Sequence, residues 1–111
     1  MECAEAIEAG DLLAIVSDGT VEPVDSDDAE QARLIAGAKG ADGDTIQCFW
    51  MAVIDGFTGG TEGAAVYPSS TAGQYTETAD VTGSDTNTII GYVLTETKIM
   101  VMPGVRADST A

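Results

Sequence analysis

Glycine-containing turn signals recur along the whole chain and divide it into short segments. They are Ala9-Gly10-Asp11, Ser17-Asp18-Gly19, Ala41-Asp42-Gly43-Asp44, Asp55-Gly56, Gly59-Gly60, Ala72-Gly73 and Thr82-Gly83-Ser84. The stretches between these signals are short and either apolar or alternating, which is typical of β-strands joined by tight turns. The sequence therefore predicts a mainly β fold with at most one short helix.

The first hairpin is predicted around Ser17–Thr20. Leu12–Val16 is an apolar run between two turn signals, which fits a strand buried on both faces or nearly so. Asp18-Gly19 supplies the positive φ that a tight turn needs. Val21 and Val24 follow on the return strand, and Pro23 between them cannot donate to a ladder. The return strand is therefore expected at a sheet edge.

The strongest strand signal covers Thr45–Phe57. One alternating face consists of Ile46, Cys48, Trp50, Ala52 and Ile54, and the other of Phe49, Met51 and Val53. A helix of this length is an alternative, but the aromatic and β-branched content favours a strand. Because both faces are apolar, we expect one strand that is central to a barrel or packed between layers.

Further strands are predicted in the second half of the chain. They are Ala64–Pro68, Gln74–Thr78 and a closing hairpin of Ile89–Leu94 with Lys98–Met102, while 82–87 is expected to be a polar loop. Asp25–Arg33 is the one helix candidate, since Asp27 or Asp28 can cap it and Glu30 suits its first turn. Leu34–Ala36 equally suits the start of a strand, so both alternatives stay open.

A chain of 111 residues suits a single domain. We expect an N-terminal arm at 1–9, a β-domain at 10–104 and a polar C-terminal tail at 105–111. The first residues have neither the basic nor the apolar region of a signal peptide. No apolar run approaches the ~18 residues of a membrane span.

The charge balance limits the classes of partner. Nineteen acidic residues face four basic ones, Arg33, Lys39, Lys98 and Arg106, which gives a formal charge of −15. The basic residues form no cluster that could follow a phosphate backbone, so nucleic acid is not an expected partner. An anionic membrane surface would repel the chain. Such acidity with scarce lysine is expected of a protein from a halophilic host.

The sequence predicts no catalytic residue, no metal site and no cofactor. Histidine is absent, which excludes a Ser-His-Asp catalytic triad and a Cys-His catalytic pair. The acidic clusters around Asp25–Asp28 and Asp42–Asp44 lack the spacing of a calcium loop, and no carboxylate pair has a spacing that selects it for glycoside hydrolysis. Cys3 and Cys48 are interpreted as separate thiols, because no second cysteine or histidine stands near either one.

Three ordered segments resemble the capsid decoration, or cement, proteins of tailed viruses. The opening residues 5–13 are similar to that family's "I-x-x-G-D" entry. Residues 34–38 and 43–46 are similar to its "G-x-A … G-D-x-V" segment, and residues 90–94 and 99–102 to its closing "G-x-x-L … I-x-V" hairpin. Together they cover most of residues 5–102. The extreme acidity and the stretch Gly56–Gly63 depart from the family pattern.

The resemblance implies a small, compact β-barrel or β-tulip without enzymatic activity. It implies a structural protein that binds the outer surface of an icosahedral shell and stabilises it, with the major capsid protein as partner and a homotrimer as the oligomer. The corresponding location is the outer capsid surface of the virion, after synthesis in the host cytoplasm.

Two groups of residues are predicted to form the capsid or subunit interface. Glu5, Ala6 and Ile7 lie in the N-terminal arm, which we expect to extend against the capsid protein and add a strand to its sheet. Phe49, Trp50 and Tyr67 are the large side chains, and aromatic residues are enriched at interfaces. Core packing is the alternative interpretation of these aromatics.

Two other functional classes remain as alternatives. A surface-exposed β-type binding module of a halophile, directed at carbohydrate or the cell envelope, requires an exposed aromatic platform. A carboxylate enzyme requires a cleft with a raised carboxylate pKa.

We expect the melting temperature to rise by several degrees between dilute buffer and molar KCl. Molar salt shortens the Debye length to ~3 Å and so removes most of the self-repulsion of a strongly acidic chain. Thermal unfolding followed by circular dichroism across a KCl series measures this gain. An unchanged melting temperature would contradict the halophilic interpretation.

Overall fold

The computed structural model describes residues 1–25, 32–77 and 89–103. Within them, the strands are β1 Leu12–Ile15, β2 Val21–Pro23, β3 Ala32–Ala36, β4 Cys48–Phe49, β5 Ala52–Asp55, β6 Ala65–Pro68, β7 Tyr75–Thr76, β8 Gly91–Thr95 and β9 Lys98–Val101. A 3-10 turn spans Ser17–Gly19. The prediction of a small, mainly β domain is confirmed. In the described ranges no helix has the length and apolarity needed to cross a membrane.

The strands form two antiparallel sheets. The first sheet has the order β2-β1-β3-β4, and the second has the order β5-β9-β8-β6-β7. The predicted first hairpin is confirmed: β1 pairs with β2, and Asp18 and Gly19 in the turn both have positive φ. β2 lies at the edge of its sheet, as Pro23 predicts.

The main core lies between the two sheets. The first sheet contributes alternate residues of its central strands, Leu12 and Ala14 on β1 and Ile35 on β3. The second sheet contributes Val66, Val93, Ile99 and Val101, and Ile90 also belongs to the cluster. Because successive side chains of a strand point to opposite faces, Leu13 of β1 and Leu34 and Ala36 of β3 are buried on the other side of this sheet.

A second cluster buries the other face of the first sheet. Leu13, Val21, Leu34 and Ala36 pack there with Ile46 and with Cys3 and Ile7 of the N-terminal segment. The first sheet is therefore covered on both faces, which confirms the expectation for the apolar run of β1. Cys3 and Cys48 belong to this region and are both free thiols.

The N-terminal residues are built into the fold, contrary to the expectation of an arm at 1–9. The amino group of Met1 donates to the Ile46 carbonyl at 2.8 Å, and Ile7 and Gly40 exchange two backbone hydrogen bonds of 2.8 and 3.0 Å. The Ile7 side chain is 1% exposed. Its predicted place in a surface interface is corrected, because burial of its apolar side chain holds this segment against the first sheet.

The predicted central strand over Thr45–Phe57 is wrong in its continuity and position. The chain forms β4, leaves the first sheet at Trp50 and Met51, and enters the second sheet as β5. Both strands lie at sheet edges. The sequence is apolar at both alternations because its first part belongs to one sheet and its second part to the other, and because some of its apolar side chains are exposed.

The remaining strand predictions are largely confirmed. β6, β7 and β9 lie within the predicted ranges, and β8 extends one residue past its predicted end, to Thr95. Leu34–Ala36 is part of β3, so the strand alternative is correct there and the helix alternative is wrong for Ala32 and Arg33. The rest of the helix candidate at 26–31, the predicted loop at 82–87 and the tail at 105–111 lie outside the described residues.

We expect Ile7→Ala to lower the free energy of unfolding by about 2–5 kcal/mol, the range for truncating a buried isoleucine. Glu5→Ala is the matched control, because Glu5 is an exposed residue of the same segment and such changes usually stay within ~0.5 kcal/mol. Denaturant unfolding of both variants measures the difference. Equal midpoints for Ile7→Ala and the parent protein would show that the N-terminal segment is separable from the fold.

A candidate docking surface

The outer face of the second sheet carries a row of apolar side chains. Val53 on β5 lies opposite Met100 on β9, and Met100 lies opposite Tyr92 on β8. Residues paired in this way project from the same face of a sheet. Their sequence neighbours Val93 and Ile99 face the main core, so the row points away from it.

Two further residues extend this row. Met51 lies directly before β5, two positions from Val53, and Leu94 lies two positions after Tyr92, at a register shift in the pairing of β8 with β9. We call these five residues, Met51, Val53, Tyr92, Leu94 and Met100, the apolar face. Val53 is 58% exposed, Met51, Tyr92 and Leu94 are also exposed, and Met100 is partly buried. A contiguous group of exposed apolar side chains typically marks an interaction site.

The apolar face carries little charge in a chain whose formal charge is −15. The charged side chains on the outer side of β5 and β9 are Asp55 and Lys98, which lie opposite each other at one end of these strands. Opposite charges in that arrangement offset each other. A partner that covers this face therefore desolvates few charges, which lowers the cost of docking.

The predicted aromatic residues occupy different environments. Trp50 is 73% exposed in the crossing between the sheets. Phe49 is also exposed, although its ring lies so close to Gly37 that a Cβ there would overlap it. Tyr67 is half-buried on β6. Trp50 is thus available to a partner, whereas packing already engages part of Phe49 and Tyr67.

The N-terminal residues predicted for the interface lie elsewhere. Glu5 and Ala6 are exposed on the segment that covers the first sheet, while the apolar face belongs to the second sheet. The structure therefore places Glu5 and Ala6 apart from the apolar face. The residues that sequence reasoning missed are those of the apolar face, Met51, Val53, Tyr92, Leu94 and Met100. For Tyr92, Leu94 and Met100 the signal was apolar character at both alternations of the closing hairpin, which a strand with only one buried face does not need.

An open groove of about 430 Å³ lies between β5 and β7. Its walls are formed by 54–59 and 74–77, and its floor by 9–11. On the floor, the Tyr75 hydroxyl donates to the Gly10 carbonyl at 2.6 Å. Burial raises the pKa of Tyr75 far above its usual value, and the neighbouring Asp11 charge adds to this effect.

Asp11 is the one buried charged side chain in the described ranges, at 7% exposed. Its Oδ2 accepts a hydrogen bond from the Glu8 backbone N–H at 3.0 Å. A Cβ at Gly73 would lie 2.8 Å from the Asp11 carboxyl carbon, so only glycine lets the chain pass so close. Burial raises the pKa of Asp11, and the charge of Glu8 raises it further. These contacts indicate that Asp11 stabilises the turn before β1.

No metal centre is assembled in the part of the chain that the structure describes. There, no three or more Cys, Asp or Glu side chains converge in a way that would hold an ion. The apolar face and the groove are the two described surfaces whose chemistry suits a partner.

We expect Asp11→Asn to stabilise the protein near pH 7, with a gain that fades as the pH falls toward 3.8. The raised pKa means that the folded state favours the protonated carboxyl, so the parent loses stability as the pH rises and Asp11 ionises. Asparagine stays neutral and still accepts from Glu8. The exposed Asp42→Asn controls for the general gain from removing one negative charge. A difference between the two variants that does not change with pH would contradict this assignment.

Comparison of the chain with protein-family models, with curated proteins and with solved structures finds no match.

Proposed function

We propose that this chain is a structural decoration protein, which binds the outer surface of an icosahedral virus shell and stabilises it. The observation that carries the proposal is the apolar face, an exposed and nearly uncharged group on an otherwise acidic chain. The ordered resemblance of residues 5–102 to cement proteins supplies the kind of partner. In this proposal the partner is the major capsid protein, the protein acts as a homotrimer, and no catalysis takes place.

The apolar face suits adhesion to a repeated lattice. Burial of apolar surface contributes about 25 cal/mol per Å² to the free energy of binding. The loss of translational, rotational and side-chain freedom on association offsets much of that gain. A small domain with a handful of exposed apolar side chains is therefore suited to a modest affinity per copy. In a trimer, engagement of one subunit raises the effective concentration of the other two at their sites. Several modest contacts then act together in clamping neighbouring capsid subunits.

The charge distribution supports the same orientation. With the apolar face turned toward the shell, acidic residues on other surfaces, such as Asp18 and Glu62, face solvent. Decorated particles would then repel each other, and the cost of this repulsion falls in concentrated salt.

The structure changes how the N-terminal residues enter this proposal. Residues 1–7 already form backbone bridges within the domain, so they are not available to add a strand to a capsid sheet without leaving it. Glu5 and Ala6 remain exposed and can contribute only as surface contacts. The apolar face takes over the docking role that the sequence assigned to this segment.

A second candidate function rests on Trp50. A carbohydrate- or envelope-directed binding module requires an aromatic ring that solvent can reach, and Trp50 is 73% exposed. An indole ring offers a large apolar surface with a polar N–H at one edge. Under this alternative, Trp50→Ala would abolish binding to a soluble polysaccharide, whereas changes to the apolar face would not affect it.

We expect Val53→Lys to weaken shell binding at least roughly tenfold, because a lysine in the middle of the contact would be buried without a partner. Ile15→Lys is the matched control, since Ile15 is a comparably exposed apolar strand residue on the first sheet. Co-sedimentation with shells assembled from a major capsid protein, sought among the genes that neighbour this chain's own gene, measures binding. Equal loss for the two variants, or none for Val53→Lys, would remove the apolar face from the contact.

A further inference from the structure

Among the described residues, the strand β5 presents an unpaired edge. It is the terminal strand of the second sheet, and the strand that pairs with it within these residues is β9. Among the described residues, the backbone hydrogen bonds outside the strand ladders include none from Ala52–Asp55. Such an edge offers N–H and C=O groups to an incoming strand, and proteins usually protect it with proline, lysine or a bulge. β5 contains none of these.

The groove described above runs beside this edge. Its lining begins with Ile54 and Asp55 at the end of β5 and continues through 56–59. The opposite wall belongs to β7 and its flanking residues, at the other edge of the same sheet. The open space therefore adjoins the carboxyl-terminal half of β5, and a strand added to this edge would enter it, since paired strands lie about 4.8 Å apart. Phe57 and Tyr75 provide apolar contact surface on the two walls.

The ionisable side chains that line the groove, apart from Tyr75, are all acidic. They are Asp11, Asp55 and Glu77, and no lysine or arginine is among the lining residues. Two of them are fixed in position toward the rim: Asp55 accepts from the Gly56 N–H at 3.0 Å, and Glu77 accepts from the Thr61 N–H at 3.0 Å. These neutral donors orient the carboxylates without cancelling their charge. Lys98, opposite Asp55, offsets part of it.

A second copy of this chain is a poor occupant for such a groove. Each copy carries a formal charge of −15 with only four basic residues. Two acidic surfaces brought together repel each other. An extended segment that carries lysine or arginine has two properties that suit the groove. Its backbone N–H and C=O groups can pair with those of β5, and its positive charges complement the acidic walls.

We propose that this groove binds an extended, basic peptide segment of another protein as an additional strand on β5. Backbone pairing provides affinity, as in other cases of strand addition, and the acidic walls select for cationic side chains. This site shares the strand β5 with the apolar face, but the proposal does not depend on what that face binds.

The test uses the full chain and three synthetic peptides. The first is acetyl-Thr-Lys-Val-Thr-Val-Lys-Thr-amide, the second replaces both lysines with glutamate, and the third replaces the central threonine with proline. The proline peptide keeps the charge but loses a backbone donor. Calorimetric titration measures affinity, and hydrogen–deuterium exchange measures protection of residues 52–57.

We expect the lysine peptide to bind at least roughly tenfold more tightly than either of the other two and to slow exchange in β5. The double variant Asp55→Asn, Glu77→Gln should weaken it about fivefold. Glu62→Gln, an exposed residue outside the groove lining, is the control and should leave binding unchanged.

Three results would overturn the proposal. Equal binding of the lysine and proline peptides would indicate charge attraction without strand addition. Protection of β5 that grows with protein concentration, without any peptide, would assign the edge to a second copy. Absence of binding by the lysine peptide would show that the groove does not accept such a segment.

Discussion

Burial of the first sheet on both faces is the constraint on which the rest of the structure depends. Leu12 and Ala14 enter the main core while Leu13 enters the second cluster. Because neighbouring strand residues point in opposite directions, this burial requires a layer of chain on each side. One layer is the second sheet, and the other is the N-terminal segment with the residues around Gly40 and Ile46. The second sheet has the main core on its inner side, and its outer side carries the apolar face.

The sequence predicted this fold well where the relevant signal is local. Asp18-Gly19 and Pro23 determine a turn and a sheet edge through their own backbone chemistry, and the structure agrees with both predictions. The Thr45–Phe57 run was misjudged because an unbroken apolar pattern is compatible with one strand or with two that belong to different sheets. Which of these forms depends on distant pairing, β4 with β3 and β5 with β9, and periodicity holds no information about such partners.

The candidate site was predictable only in part, for a related reason. Trp50 was selected as an interface residue because of its size, and it is exposed. Ile7 was selected because it lies near the start of the chain, but its partner Gly40 lies more than thirty positions away. Its burial depends on a close approach, since a Cβ at Gly40 would collide with the Ile46 side chain. The apolar face combines residues of three strands, so only the register between them reveals it as a surface.

The two-residue crossing at Trp50 and Met51 has a mechanical consequence. It joins β4 of one sheet directly to β5 of the other, so a pull on β5 passes into β4 with almost no slack to absorb it. Each of these strands is held along its length by antiparallel hydrogen bonds. A displacement of either strand along the chain is therefore opposed by the pairing of the other, two residue pairs for β4 and four for β5, with no loop between the sheets to absorb it.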